Sequence, residues 1–455
     1  MERFSQLAVI ALCSHLVIGC NSSSSPEAPE VPEQQAPVVI EPEISCAPLT
    51  RLAMTDASSD TAMDAYLPKN TIDGRFIESS QWQVQGDGQA LVLTLAQTSL
   101  VKGLSIAWAN PDQRSYTFEA YTSQDKEQWV SVLAPTTSNP LKTRSEFVPV
   151  AESTAQYIRL VVAGNSIDDQ HGVVEVESFG CVSDNEPQIE LVDWYLSIPV
   201  DETIYSKAQS ISENELADGY FHEEFFFPDS DGGLVFRAPV SGARTSANTK
   251  YTRTELREML RRGDTSIKTQ GVNANNWVFS SAPDSDLEQA GGIDGVLIAE
   301  LKVNQVTTTG EQWQVGRVII GQIHANDDEP IRVYYRKLPG NDLGSIYLAH
   351  EFLDGDDNYF EVLGNRSQSA ENPVNGIALG ERFAYRIKVV GNELTFTLTR
   401  DGKEDLEQVI DMTDSGYDQG GQYMYFKAGV YNQNNTGDRK DTVEATFYRI
   451  DNTHE

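Results

Sequence analysis

Three short stretches of the chain carry side chains able to do chemistry. In Tyr251-Thr252-Arg253-Thr254-Glu255-Leu256-Arg257, strand alternation puts Arg253, Glu255 and Arg257 on one face. Val318-Ile319-Ile320-Gly321-Gln322-Ile323-His324 is apolar until Gln322 and His324, which share a face. In Tyr423-Met424-Tyr425-Phe426-Lys427-Ala428-Gly429-Val430-Tyr431-Asn432-Gln433, Met424, Phe426, Ala428 and Val430 make a core side. Tyr425, Lys427, Tyr431 and Gln433 make the opposite side, which has no aliphatic residue. Guanidinium, ammonium and amide donors hold anions, an imidazole takes a proton near neutral pH, and a phenol supplies one. The three stretches together describe a polar groove suited to an anion. Each alone also reads as ordinary structure: a half-exposed strand, a solvated salt-bridge ladder, a satisfied histidine.

The elements that position these residues are read from the rest of the chain. Its 455 residues imply two or three domains. A net charge of −34 disfavours nucleic acid and anionic membranes as general partners, so an anionic substrate requires a local positive pocket. Arg3 and the apolar run Leu7 to Ile18 read as a targeting segment, too short for a permanent span. Leu16-Val17-Ile18-Gly19-Cys20 resembles a bacterial lipoprotein signal in which Cys20 carries the lipid. The resemblance implies a signal over 1–20 and an exported envelope protein, held at the outer membrane only through its lipid, or secreted. Residues 21–45, rich in Ser, Pro and Glu, read as a disordered tether. Of four cysteines, Cys13 and Cys20 belong to the signal, which leaves Cys46 and Cys181 as an expected disulfide.

Both remaining segments read as all-β. Runs such as Ala90 to Leu95, Tyr116 to Tyr121 and Tyr157 to Val162, bounded by turn residues, predict a sandwich over 46–182. The polar junction Asp184 to Gln188 precedes a second β domain over 189–455. There, Phe383 to Val390 and Glu393 to Arg400 flank Gly391-Asn392 as a hairpin.

The first segment contains Asn70-Thr71-Ile72-Asp73-Gly74, Trp82, Thr122-Ser123-Gln124-Asp125, Trp129 and Tyr157-Ile158-Arg159-Leu160. It resembles discoidin, or factor V/VIII type C, modules, which include family 32 carbohydrate-binding modules. That implies a jelly roll with a glycan ligand of its own and a structural calcium, for which Asp73 and Glu177 are the candidate oxygen donors. Trp82 and Trp129 are expected in the core.

The three chemical stretches resemble the R-(S/T)-E-L-R, Q-(I/V)-H and Y-F-K-A-G-x-Y-x-Q signatures of polysaccharide lyase family 7, the alginate lyases with a β-jelly-roll fold and a concave groove. The resemblance implies β-elimination on alginate. Removing the proton at C5, α to an ionised carboxylate, requires that the carboxylate be neutralised, a role suited to Arg253 and Gln322. Neutral His324 takes the proton and Tyr431 donates to the departing C4 oxygen. For mannuronate the resemblance implies that Tyr431 serves as both base and acid, with Lys427 lowering its pKa. Glu255 orients the arginines, and Arg257, Tyr425, Lys427 and Gln433 line subsites. With Ile323 between Gln322 and His324, the resemblance implies acceptance of guluronate-containing blocks. Catalysis is expected to need no cofactor, and the protein is expected to be a monomer. The rivals are a jelly-roll glycoside hydrolase, which needs two separated carboxylates, and a non-catalytic polysaccharide-binding surface protein.

Overall fold

Alternating apolar residues build the folded part almost entirely from strands. The computed structural model describes residues 45–182, 189–200, 207–353 and 355–455. The signal, Cys20, most of the tether and the 184–188 junction lie outside the described residues.

The first domain runs its strands in the order Ser45–Leu52, Gln170–Val182, Gln89–Trp108, Glu146–Asn165, Tyr116–Ser123 and Val130–Thr137. Gln89–Trp108 and Glu146–Asn165 pair with each other through register shifts at Thr94/Ser99 and Val101/Gly103. Such irregularities let long strands bend round a single core. That core includes Trp82, Leu91, Trp108, Phe118, Ile158 and Val176. Trp82 is buried as expected, but Trp129 is half-buried, with the Arg159 guanidinium 4.5 Å from its ring centroid. Cys181 is disulfide-bonded, and Ser45 is the ladder partner of Val182; the Cys46 side chain lies outside those described.

The second domain stacks two antiparallel sheets around one large core. The nine-stranded sheet runs Gln209–Ile211, Trp194–Ile198, Arg253–Glu258, Tyr425–Asn432, Arg317–His324, Ile331–Arg336, Leu343–Glu351 and Asp357–Leu363, with Ile377–Ala378 beside Leu343–Glu351. The seven-stranded sheet behind it contains Leu234–Pro239, Thr442–Thr453 and the expected hairpin, in which Val390 pairs with Glu393 across Gly391. Met424, Phe426, Ala428 and Val430 all point into the core between the sheets. The alternate residues of that strand therefore face outward.

The two domains meet across a charged and aromatic seam. Arg51 donates to Glu177 Oε1 at 3.0 Å, to Glu444 Oε1 at 3.1 Å and to Asp229 Oδ2 at 2.9 Å. Arg237 reaches Glu177 Oε1 at 2.6 Å and Glu444 Oε2 at 2.7 Å. Phe179 of the first domain packs against Phe227 of the second at 5.3 Å. Burial opposes ionisation of Glu444, yet Arg51 and Arg237 outweigh it and hold its carboxyl at about 2.

This seam corrects one expectation. The Glu177 carboxylate is taken up by two guanidiniums and is not offered to a cation. Glu175 is the buried acid that faces the Asp73-Gly74 turn: it accepts from Gly74 N at 3.2 Å, and its Oε2 has no hydrogen-bond partner. Burial, then the nearby Glu177 and Asp73, push its carboxyl well above the ordinary range. An orphaned buried oxygen beside Asp73 fits a hard cation. No cluster of three or more His, Cys, Asp or Glu exists there among the described residues, so carbonyls and water must complete any such shell.

Candidate active site

Strand order brings the three chemical stretches together. Arg253–Glu258, Tyr425–Asn432 and Arg317–His324 are consecutive in the nine-stranded sheet. Arg253 lies opposite Tyr431, Arg257 opposite Lys427, Gln322 opposite Lys427 and His324 opposite Tyr425. The last two strands do not match residue for residue, because the register shifts between Ile319 and Gly321. Gly429 absorbs part of this irregularity: its φ is 133°, and a Cβ there would lie 2.6 Å from the Thr254 carbonyl oxygen.

Glu255 is the hub. It is 2% exposed and accepts from Arg253 at 2.9 Å and from both Lys427 and the Gln322 amide. Burial alone would keep this carboxyl protonated, but Lys427 and then Arg253 outweigh it and hold it below its ordinary value. An anion so engaged is neither the acid nor the nucleophile of a hydrolase. It orients the two donors expected to meet a substrate carboxylate, and it is too buried to line a subsite itself. Lys427 is pulled down to about 8 by burial and Arg253, against the opposing pull of Glu255.

The Arg253 guanidinium lies 3.6 Å from the Tyr431 ring centroid, and that of Arg257 3.8 Å from Tyr425. Burial raises the Tyr431 phenol while Arg253 opposes the rise. The structure thus differs from the expectation that Lys427 lowers Tyr431: the ammonium is committed to Glu255, and the net displacement is upward. Tyr431 is a protonated donor at neutral pH, not an ionised base.

His324 stacks on Tyr425 with centroids 5.1 Å apart and planes 9° from parallel. Its Nδ1 lies 2.5 Å from the Ala325 carbonyl, which favours the neutral tautomer with the proton on Nδ1 and a lone pair on Nε2. Nε2 faces Glu329 Oε1 at 3.5 Å. Burial, then Lys427 and Arg253, lower this imidazole to about 3. A bound carboxylate offsets the pull of those same cations, while the larger effect, burial, stays in place. The Glu329 carboxylate also favours the protonated forms of Arg253, Lys427 and Tyr431.

Arg257 is occupied locally, donating to Thr269 O at 2.6 Å and Asn276 Oδ1 at 3.0 Å, and it supports the Tyr425 ring. Gln433 is buried, with its amide on Asn432 O at 3.3 Å. Two neighbours escaped the sequence reading. Tyr251 meets Tyr431 edge-on at 6.1 Å and shares the alternation of Arg253 and Glu255, a signal that could have found it. Glu329 sits in a loop and has no periodic signal.

The alginate lyase family model matches residues 189–454. The chain belongs to the alginate lyase family. The factor V/VIII type C domain model matches residues 55–176, so the first domain is a discoidin-like module. An alginate lyase from Klebsiella pneumoniae is 57% identical over an alignment of 276 residues that covers 59% of this chain and 90% of that protein. The crystal structure of the Klebsiella pneumoniae alginate lyase superposes with a TM-score of 0.58 at 57% identity, covering 58% of this chain and 96% of that one.

Proposed function

We propose that this alginate lyase cleaves the 1,4 linkages of alginate by β-elimination, with guluronate at the residue that loses its proton. The carrying observation is the Glu255 hub, which aligns Arg253 and Gln322 beside Lys427. Arg253 and the second N–H of the Gln322 amide bind the uronate carboxylate, so the charge that develops on it in the transition state is met by fixed donors. Nε2 of His324 removes the C5 proton, and Tyr431 protonates the C4 oxygen as the bond breaks, giving an unsaturated end. Neutral His324 with protonated Tyr431 favours guluronate, whose C5 hydrogen lies on the face opposite the leaving oxygen. Incubating the chain with polyguluronate and polymannuronate separately, while following the ultraviolet absorbance of the unsaturated product, tests this. Reducing ends without absorbance would restore the hydrolase reading, and binding without either would restore the surface-binding one.

The oxidised Cys181 supports an exported protein, with Cys46 as the bonding partner and Cys20 as the anchor. The discoidin-like module is read as a second glycan site, with calcium held by Asp73 and Glu175. Loss of thermal stability on chelation, restored by calcium, tests the metal.

A further inference from the structure

The outer face of the nine-stranded sheet continues beyond the catalytic groups. Ladder pairing sets Tyr431 opposite Ile319, Ile319 opposite Tyr334, and Tyr334 opposite Tyr347, one row crossing four adjacent strands. These residues form one apolar cluster, and the Tyr334 and Tyr347 rings stack at 4.6 Å with planes 7° apart. The row ends at a cavity of about 220 Å³ lined by Trp313, Arg317, Arg336, Tyr347, Tyr359 and Arg366. Tyr347 is three strands from Tyr431, about 14 Å at ordinary strand spacing.

Three features of this cavity point to an acidic sugar. Arg317, Arg336 and Arg366 form no salt bridge among the described residues, whereas Arg253 and Arg332 on the same face are paired with acids. The buried Nε atoms of Arg317 and Arg336 have no hydrogen-bond partner. Trp313 is 48% exposed beside them. Burial, and then the Arg317 and Arg366 charges, pull the Arg336 guanidinium below its ordinary value. Main-chain carbonyls take up part of these forks, Trp313 O from Arg317 at 3.2 Å and Arg366 O and Gln312 O from Arg336 at 2.6 and 2.9 Å, but among the described residues no carboxylate pairs with their charge. A guanidinium fork suits a carboxylate, and an exposed indole suits the apolar face of a pyranose ring.

We propose that this cavity is a distal subsite that binds the carboxylate of a uronate about three sugar units from the scissile bond, with Arg317 and Arg366 as its anion donors and Trp313 as its platform. The subsite rests on the lyase reading and adds to it: it sets how long a chain must be to bind well. Arg317→Gln and Arg366→Gln, made separately in the full chain, test it against defined guluronate oligomers with product absorbance as readout. Arg366 stands outside the core sheet, its guanidinium 4.0 Å from the Tyr359 centroid, so its variant reports even where Arg317→Gln disturbs folding. On a heptamer, KM rises about tenfold at unchanged kcat, while kcat/KM on the shortest oligomer the wild type cleaves stays the same. Equal losses on both lengths, or an unchanged heptamer KM, overturn the subsite. An inactive wild type sinks the lyase reading and the subsite with it; an active wild type with unaffected variants sinks the subsite alone.

Discussion

Replacing Glu255 by Gln keeps the shape of the hub and removes its charge. Two cations then remain where one buried carboxylate had answered them. Breaking a buried pair from one side costs about 3–5 kcal/mol. At about 2–4 °C per kcal/mol for a domain of this size, melting falls by roughly 6–20 °C. Lys427 keeps burial and Arg253, both of which lower it, and loses the opposing pull of Glu255. Its pKa therefore drops below about 8. With Arg253 and Gln322 no longer held, transition-state stabilisation of about 3 kcal/mol is lost, on the order of a hundredfold in kcat/KM. Calorimetry and the absorbance assay on polyguluronate measure the two effects. A variant that melts within about 2 °C of the parent and turns over within about threefold would show that Glu255 does not organise the site.

His324→Ala loses about 10²–10⁴-fold in kcat on polyguluronate with the substrate dissociation constant nearly unchanged, as titration of the variant will show. In the free enzyme Lys427 is charged below about pH 8 and neutral above it, so kcat/KM declines through that pH. In the complex the substrate carboxylate holds the proton on, so kcat declines only at higher pH; superimposable pH profiles would contradict this. Arg237→Met leaves Glu177 and Glu444 sharing Arg51 alone and lowers stability by about 3–5 kcal/mol, measured by denaturant unfolding, with kcat on short oligomers unchanged. Calcium chelation lowers the melting temperature of the parent chain and has a smaller effect on Glu175→Gln.

The face each residue occupies was legible in advance, because period-2 alternation separates Phe426 from Lys427 without knowledge of the neighbours. Which strands lie side by side was legible only through the resemblance, since Arg253 and Tyr431 are far apart in the chain and no local pattern specifies their pairing. The direction of the Tyr431 displacement escaped for a related reason. Lys427 shares its face, but Glu255 on the next strand claims the ammonium, and that pairing exists only in three dimensions. Glu177 was misread because alternation cannot reveal that Arg237 arrives from another domain. Glu175, two residues away on the same face, was the acid left with one buried oxygen unpartnered.

The seam between the domains makes the discoidin-like module a fixed handle rather than a roaming one. Arg51 and Arg237 clamp Glu177 and Glu444 from both domains, so the distance between the glycan site proposed for the module and the groove is set by the protein itself. Avidity then depends on matching one span, instead of being averaged over a supple linker. A polymer reaching both the glycan site proposed for the module and the groove would gain from both holds at once.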